Sequence, residues 1–389
     1  MRVAVTPKNK IFAFLFAAAL LSGSHYCQAE SQAGCVSAAE QVKKGVALGD
    51  GSEKEISLYR EAVGLCPKMA EAHFNLGLAL QKQGDLFLAE KELREAVSIK
   101  GEETFRIGLA GVLIRKGDLV GAREQYDKVL EQNPNNVPAM QGVAVVVERQ
   151  GRVDEAVSLL EKAAQIDAGN EITFFNLGVL HEKAKRLDSA MQSYRRATQV
   201  NPRYFEALYF YGAVLVKLGK YEEAKRALLQ AADARASDVR VHLGLAEVYQ
   251  REGDMTRAEA SLRRVAELSP TNFPAQANLG LLLIENKRYQ EAVVALQRAT
   301  ALEPKNARAW SALGRAQLEL GAMVDAEKNL LQAIQLDGTN AYAHNNYGVL
   351  LQRLGNEGAA QREFALALRL NPQLEIAREN LDAVGGDGS

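Results

Sequence analysis

Few residues in this 389-residue chain have both the type and the spacing for chemistry. Beyond the first 29 residues the histidines are His73, His181, His242 and His344, and the cysteines are Cys35 and Cys66. A zinc site needs three or four such ligands at short spacing, and a metalloprotease helix would carry His-Glu-x-x-His. Neither arrangement occurs. Gly212 and Gly219-Lys220 have a faint likeness to a phosphate-binding loop, in which backbone N–H groups and a lysine cradle phosphates. The spacing is wrong, however, and Tyr221 stands where Ser or Thr would meet the magnesium. No serine or cysteine sits beside a base in a recognisable nucleophile pattern. The chain is therefore expected not to be an enzyme and to use no metal and no cofactor.

What positions these residues is a period of 34. The stretch from Ala307 to Asn340 displays it, counting Ala307 as position 1. Position 20 is alanine in nine successive stretches: Ala89, Ala122, Ala156, Ala190, Ala224, Ala258, Ala292, Ala326 and Ala360. Position 8 is always Gly or Ala, which lets two helices approach closely. Position 15 is glycine in seven of nine, with Lys185 and Lys287 the exceptions, and suits a left-handed helix cap. Positions 7, 11 and 24 supply an apolar stripe. Six prolines, from Pro67 to Pro372, fall at position 32 and stop a helix there, while Pro138 and Pro274 fall at position 2, a helix start. His73, His242 and His344 share position 4 with Trp310, and Gly212 and Gly219 are positions 8 and 15. The frame thus absorbs most of the residues that first suggested chemistry.

This pattern resembles the tetratricopeptide repeat, a helix–turn–helix unit of 34 residues. The resemblance implies an all-α fold: an α-solenoid, a right-handed superhelix of such units, closed by a C-terminal capping helix. The expected divisions are a leader at 1–29, a degenerate repeat at 30–69, nine repeats over 70–374, the capping helix at 375–384 and a flexible tail at 385–389. In the degenerate repeat Lys43 replaces the small residue at position 8 and Glu55 the alanine at 20.

In proteins of this kind the first helices line a concave groove, and positions 2, 5, 6, 9, 12 and 13 point into it, the candidates here lying at 5, 6, 9 and 13. Carried over, those positions give Phe74, Asn75, Leu78, Phe175, Asn176, Val179, Tyr209, Lys217, Leu243, Arg251, Asn278, Asn345 and Asn346 as candidate groove residues. The groove is expected to be apolar and aromatic in the earlier repeats and more polar in the last three. Each of these side chains has an alternative role, packing on the adjacent repeat. Position 13 is basic in six consecutive repeats, Lys82 to Arg251, then acidic at Glu285 and Glu319. The stripe could steer an acidic partner or simply be a solvated face. The asparagines at position 6 resemble the ladder with which peptide O-GlcNAc transferases hold a ligand backbone, interrupted here by Gly108, Gly142, Phe210, Gly244 and Ala312. No repeat has the Lys and Asn of a carboxylate clamp.

The leader has a basic start (Arg2, Lys8, Lys10), an apolar run from Ile11 to Leu21 and a cleavage site at Ala29, which reads as a secretory signal peptide. Lipid attachment at Cys35 is disfavoured, since Gln32 occupies an aliphatic position of that motif. Removing the leader takes Lys+Arg from 47 to 44 against 48 Asp+Glu, a formal charge of −4, which argues against nucleic acid as partner. The expected partner is a protein or peptide, bound by a periplasmic scaffold with no transmembrane segment. Alternatives are a subunit of an envelope machine for polysaccharide export or outer-membrane assembly, and the detached partner of a glycosyltransferase. Cys35 and Cys66 lie at the start and the end of one helical hairpin, where antiparallel packing makes them neighbours. A disulfide is expected in an oxidising compartment.

Overall fold

The computed structural model describes residues 32–385, and within them the chain forms twenty-one α-helices and no strand. The leader with its cleavage site at Ala29, and residues 386–389 of the tail, lie outside the described residues. The chain divides into two compact units, residues 1–207 and 208–389. In the first, α1 (Gln32–Leu48) packs on α2 (Glu53–Leu65), α3 (Ala70–Gln83) on α4 (Leu86–Ile99), and α5 (Glu103–Lys116) on α6 (Leu119–Gln132). Likewise α7 (Val137–Arg149) packs on α8 (Val153–Ile166), and α9 (Glu171–Lys183) on α10 (Leu187–Val200).

The second unit takes up most of α11 (Phe205–Lys217), whose Gly212 faces Leu228 of α12 (Tyr221–Ala234). There follow the hairpins α13 (Val239–Glu252) with α14 (Met255–Leu268), and α15 (Phe273–Glu285) with α16 (Tyr289–Leu302). The last two are α17 (Ala307–Glu319) with α18 (Met323–Leu336), and α19 (Ala341–Arg353) with α20 (Glu357–Leu370). The final helix, α21 (Glu375–Gly385), packs on α20.

The period explains why these helices begin and end where they do. First helices start after an asparagine at position 34: Asn136, Asn170, Asn272, Asn306 and Asn340 each accept a hydrogen bond from the N–H three residues on. Several second helices start after an acidic cap at position 16, where Asp85, Asp118 and Asp254 do the same. Such caps contribute about 1 kcal/mol each. First helices end with position 15 in the left-handed region, as at Gly84 (φ 98°) and Gly355 (φ 79°). Lys185 (φ 61°) and Lys287 (φ 56°) adopt that conformation despite their side chains.

The hairpin contact is set by three positions together. A side chain on Gly77 would come within 2.6 Å of Leu93, and one on Gly348 within 2.6 Å of Phe364, so position 8 lies under the large residue at position 24. The alanine at 20 and that large residue are wholly buried, as Ala89 and Leu93 illustrate. Burying each such leucine is worth roughly 1.5–3 kcal/mol.

The first hairpin keeps this contact in another register. Lys43 is exposed, and Gly45 takes the small-residue role: its added Cβ would lie 2.5 Å from Tyr59. Glu55, where alanine was the rule, is buried and accepts a hydrogen bond from the Gly51 N–H at 2.6 Å. Burial and the neighbouring Glu55 carboxylate push the Tyr59 phenol far up. Cys35 and Cys66 are joined by a disulfide, with their Cα atoms 5.0 Å apart. Cys35 lies within the first turn of α1, not ahead of it. At the other end α21 behaves as the first helix of a further repeat. Its Ala377 is buried, and its Asn380 donates to Asn345 of α19 at 2.9 Å.

Candidate binding faces of the first helices

Position 5 turns inward, toward the next repeat. Phe74 is buried with its ring 4.9 Å from that of Phe105, and the added Cβ of Gly108 would meet the Phe74 ring at 2.7 Å. Phe175 is buried between Tyr194 and Tyr204, at 5.7 and 5.4 Å. These two aromatics are core, not groove anchors: Phe74 is received by Phe105 and Gly108 of the following repeat, and Phe175 by two rings of its own repeat. Polar residues at position 5 seal the same joint. Gln141 donates to Asn170 and Thr173 at 3.1 and 2.7 Å, and buried Asn345 accepts from Asn380.

The position-6 residues do not form one ladder. Asn75 is buried and donates to the Glu71 carbonyl of its own helix at 2.7 Å. Asn176 is buried, and its Oδ1 has no hydrogen-bond partner. Asn346 is half-buried and donates to Ser311 at 3.2 Å, whereas Asn278 is exposed. The glycines that interrupted the series have a purpose of their own: Gly108 receives Phe74, and Gly142 lies under Tyr126.

At position 9, Val179 is buried and Leu78 half-buried against the core. Leu243 is half-buried. Tyr209, also half-buried, lies edge-on to Phe210 with the Arg240 guanidinium 4.8 Å over its ring. Lys217 and Arg251 are exposed.

The basic residues at position 13 act between repeats. Arg115 donates to the Gln81 carbonyl at 2.6 Å, Arg149 to the Ile114 carbonyl at 2.6 Å and Arg353 to the Leu318 carbonyl at 2.7 Å. Lys82 reaches the Gly49 carbonyl at 3.0 Å, and Lys183 pairs with Glu148. The last carbonyls of a helix lack intrahelical partners and carry the negative end of its dipole, so a cation from the next repeat fits there. From Lys82 to Lys183 the stripe is thus a row of clasps, a role that sequence reasoning missed. Glu285 is exposed without such a clasp, and Glu319 instead receives Arg353 at 3.1 Å.

Position 4 is a second latch. His73, His242, Trp310 and His344 hydrogen-bond the carbonyl six residues earlier, at position 32 of the preceding repeat, at 2.8–3.1 Å. His73 and His344 also meet Glu92 and Glu363 at 2.6 Å. Burial pulls the His73 pKa down, but the hydrogen bonds to Glu92 and the Pro67 carbonyl outweigh it and leave the pKa raised. Burial lowers that of His181, whose Nδ1 has no partner. No group of three or more His, Cys, Asp or Glu among the described residues is arranged to hold a metal ion. No helix among them is long and apolar enough to cross a membrane.

Apart from the end helix α1, where Val36 is 68% exposed, what remains accessible on first helices is concentrated in the second unit. Leu281 of α15 is 45% exposed and Tyr342 of α19 58%. Asn278 and Glu285 of α15 and Arg308 and Arg315 of α17 are exposed as well. This surface offers apolar contact, an aromatic ring, an amide and both signs of charge.

Comparison with known proteins gives one repeat family throughout. Models described as "Tetratricopeptide repeat" match residues 70–103, 107–171, 212–273, 249–316, 283–333 and 341–374. A model described as anaphase-promoting complex, cyclosome, subunit 3 matches 149–231. A TPR repeat-containing protein of Pseudomonas aeruginosa is 35% identical over 106 residues, 27% of this chain and 43% of that protein. Photosystem I assembly protein Ycf3 of a Synechococcus strain is 29% identical over 90 residues, 22% of this chain and 52% of that protein. The matches therefore span about half or less of those relatives. Among solved structures, Pseudomonas aeruginosa PilF covers 52% of this chain and 92% of its own at 22% identity and a TM-score of 0.46. The Cut9–Hcn1 structure covers 96% and 81% at 18% identity and a TM-score of 0.44.

Proposed function

We propose, from the premise that this chain belongs to the tetratricopeptide-repeat family, that it is a non-catalytic scaffold that holds a segment of another protein against the first helices of its second unit. The observation that carries this reading is the pair Leu281 and Tyr342, left exposed on α15 and α19 where the corresponding faces of the first unit are spent on repeat-to-repeat packing. Exposed apolar residues rimmed by amide and charge suit an extended peptide, with the aromatic as the anchor. One matched relative is by name an assembly protein, for photosystem I, and the parallel extends only to holding other proteins.

Selection of displayed peptides on the immobilised chain tests this. A recurring sequence is expected, with affinity falling at least about tenfold for Leu281→Asp or Tyr342→Ala and melting temperature unchanged. Peptides indifferent to both substitutions would overturn the assignment of this face.

The same proposal includes export to an oxidising compartment, which the Cys35–Cys66 disulfide supports. Mass spectrometry of protein recovered from the periplasm is expected to find Glu30 as its first residue. A lipid-modified Cys35 at the N-terminus would contradict it.

A further inference from the structure

The face that carries Leu281 and Tyr342 has a cationic centre. Helix α17 lies between α15 and α19 and packs on both. Its Arg308 and Arg315 stand at positions 2 and 9, two turns or about 10 Å apart, and so share one side of the helix. Leu281 is at position 9 of α15 and Tyr342 at position 2 of α19. A line joining these two anchors therefore crosses α17 between its arginines. Packed helices lie about 8–10 Å apart, which makes that line roughly 20 Å long. An extended chain rises about 3.3 Å per residue, covers the distance in about six residues and meets the arginines at its middle.

Both guanidinium groups are uncommitted. Arg308 and Arg315 are exposed, and neither makes a hydrogen bond or ion pair with any described residue. The carboxylates of this region are occupied or set apart. Glu319, one turn beyond Arg315, receives Arg353 at 3.1 Å. Asp337, within electrostatic reach of Arg308, accepts from the Thr339 N–H and hydroxyl at 2.9 and 2.7 Å. Glu285, one turn beyond Leu281, is exposed and pairs with neither arginine. Arg115, Arg149 and Arg353, by contrast, are spent on the carbonyls of preceding helices.

We propose, resting on the peptide site assigned above, that its occupant carries one acidic side chain midway between two apolar residues, and that Arg308 and Arg315 clamp the carboxylate. A guanidinium presents paired N–H donors that match the two oxygens of a carboxylate, and donors arriving from both sides can share one group. Glu285 repels a second acid at the Leu281 end, so a uniformly acidic segment is disfavoured. The apolar anchors fix the register, and the two arginines select the charge at its centre.

The probe is a displayed library of fixed layout. A leucine and a tyrosine stand three positions to either side of a central glutamate, glutamine or lysine, in both orders, with the other positions random. On the unmodified chain glutamate is expected to be enriched at least about tenfold over glutamine, with lysine depleted and the preference eroded by salt. Arg308→Glu combined with Arg315→Glu, both at exposed sites, is expected to reverse the choice to lysine. Arg362→Glu, exposed on the second helix α20, is expected to leave it unchanged, which separates a local clamp from net charge. Binders that are lost on Leu281→Asp yet show no preference for glutamate would overturn the clamp and leave the peptide site standing. So would a preference that survives the double substitution, or one that Arg362→Glu shifts equally. If no binder is sensitive to Leu281→Asp, the peptide site itself fails and the clamp falls with it.

Discussion

The first-helix faces of the two units are built on one frame and used differently. In residues 32–207, Phe74 and Phe175 at position 5 and Val145 and Val179 at position 9 are buried. There Arg115 and Arg149 at position 13 hold the carbonyls of the preceding helix. In residues 208–385, position 9 presents Glu247, Leu281 and Arg315 to solvent, and position 13 turns acidic at Glu285 and Glu319. The small residues at 8 and 20 and the large one at 24 are common to both, so they specify the hairpin. Positions 5, 9 and 13 decide whether a face holds repeats together or stays available.

The largest expected effect separates these uses directly. Phe175→Ala removes a ring packed between Tyr194 and Tyr204 and is expected to cost about 3–5 kcal/mol in urea unfolding. Leu281→Ala is expected to cost roughly 1 kcal/mol or less, since much of that side chain already meets water. Equal costs would dissolve the distinction between the faces. Reducing the Cys35–Cys66 disulfide comes next. It closes a loop with a sequence separation of 31, and the chain-entropy estimate puts its contribution at roughly 3–4 kcal/mol. Hydrogen exchange should show the loss confined to α1 and α2, because each repeat touches only its neighbours.

Much of the hairpin was legible in the sequence because its constraint recurs at one spacing: the close approach seen at Gly77 and Gly348 leaves position 8 to Gly or Ala. The disulfide was legible because antiparallel helices bring a first turn beside a last one. The position-5 residues were not, since Phe74 satisfies a helix's apolar periodicity equally well facing solvent or facing Phe105. A signal was present in Gly108, which reads as a gap in an asparagine series until its role as a slot for the Phe74 ring is seen. The clasps were hidden for another reason. Arg149 and Ile114 are bonded through a main-chain carbonyl, and a carbonyl leaves no mark in a residue pattern. The shift from Lys43 to Gly45 was missed because the connection between α1 and α2, Gly49 to Ser52, alters the spacing.

The clasps give a smaller and reciprocal test. Arg149→Met keeps the apolar stem but removes the charged hydrogen bond to Ile114, and is expected to cost about 0.5–1.5 kcal/mol given its exposure. Glu285→Arg places at that joint the residue type with which Arg149 and Arg353 clasp theirs, and is expected to add a few tenths of a kcal/mol. Measured by urea unfolding, opposite signs would support the clasp reading, whereas loss of stability in both would remove it.

The smallest effect concerns pH. His73 joins two repeats: its Nε2 faces the Pro67 carbonyl at 2.9 Å, which can only accept, so that nitrogen carries a proton. Its Nδ1 faces the Glu92 carboxylate at 2.6 Å, with Glu95 adding further negative charge nearby. Protonation of both nitrogens satisfies both partners, and this is why the pKa stands above its ordinary value although burial opposes the charge. A histidine with a higher pKa folded than unfolded holds its proton more tightly when folded. Its stabilisation is therefore complete below the unfolded value of about 6.5 and is lost as pH rises through the folded one. His73→Gln keeps a donor for the carbonyl, as Gln276 does toward Pro270, but has no proton to lose. The urea midpoint of the unmodified chain is expected to fall between pH 5.5 and pH 8.5 by more than that of the variant, the difference belonging to this one joint. Equal falls in the two proteins would show that His73 binds its proton no more tightly in the folded chain than in the unfolded one.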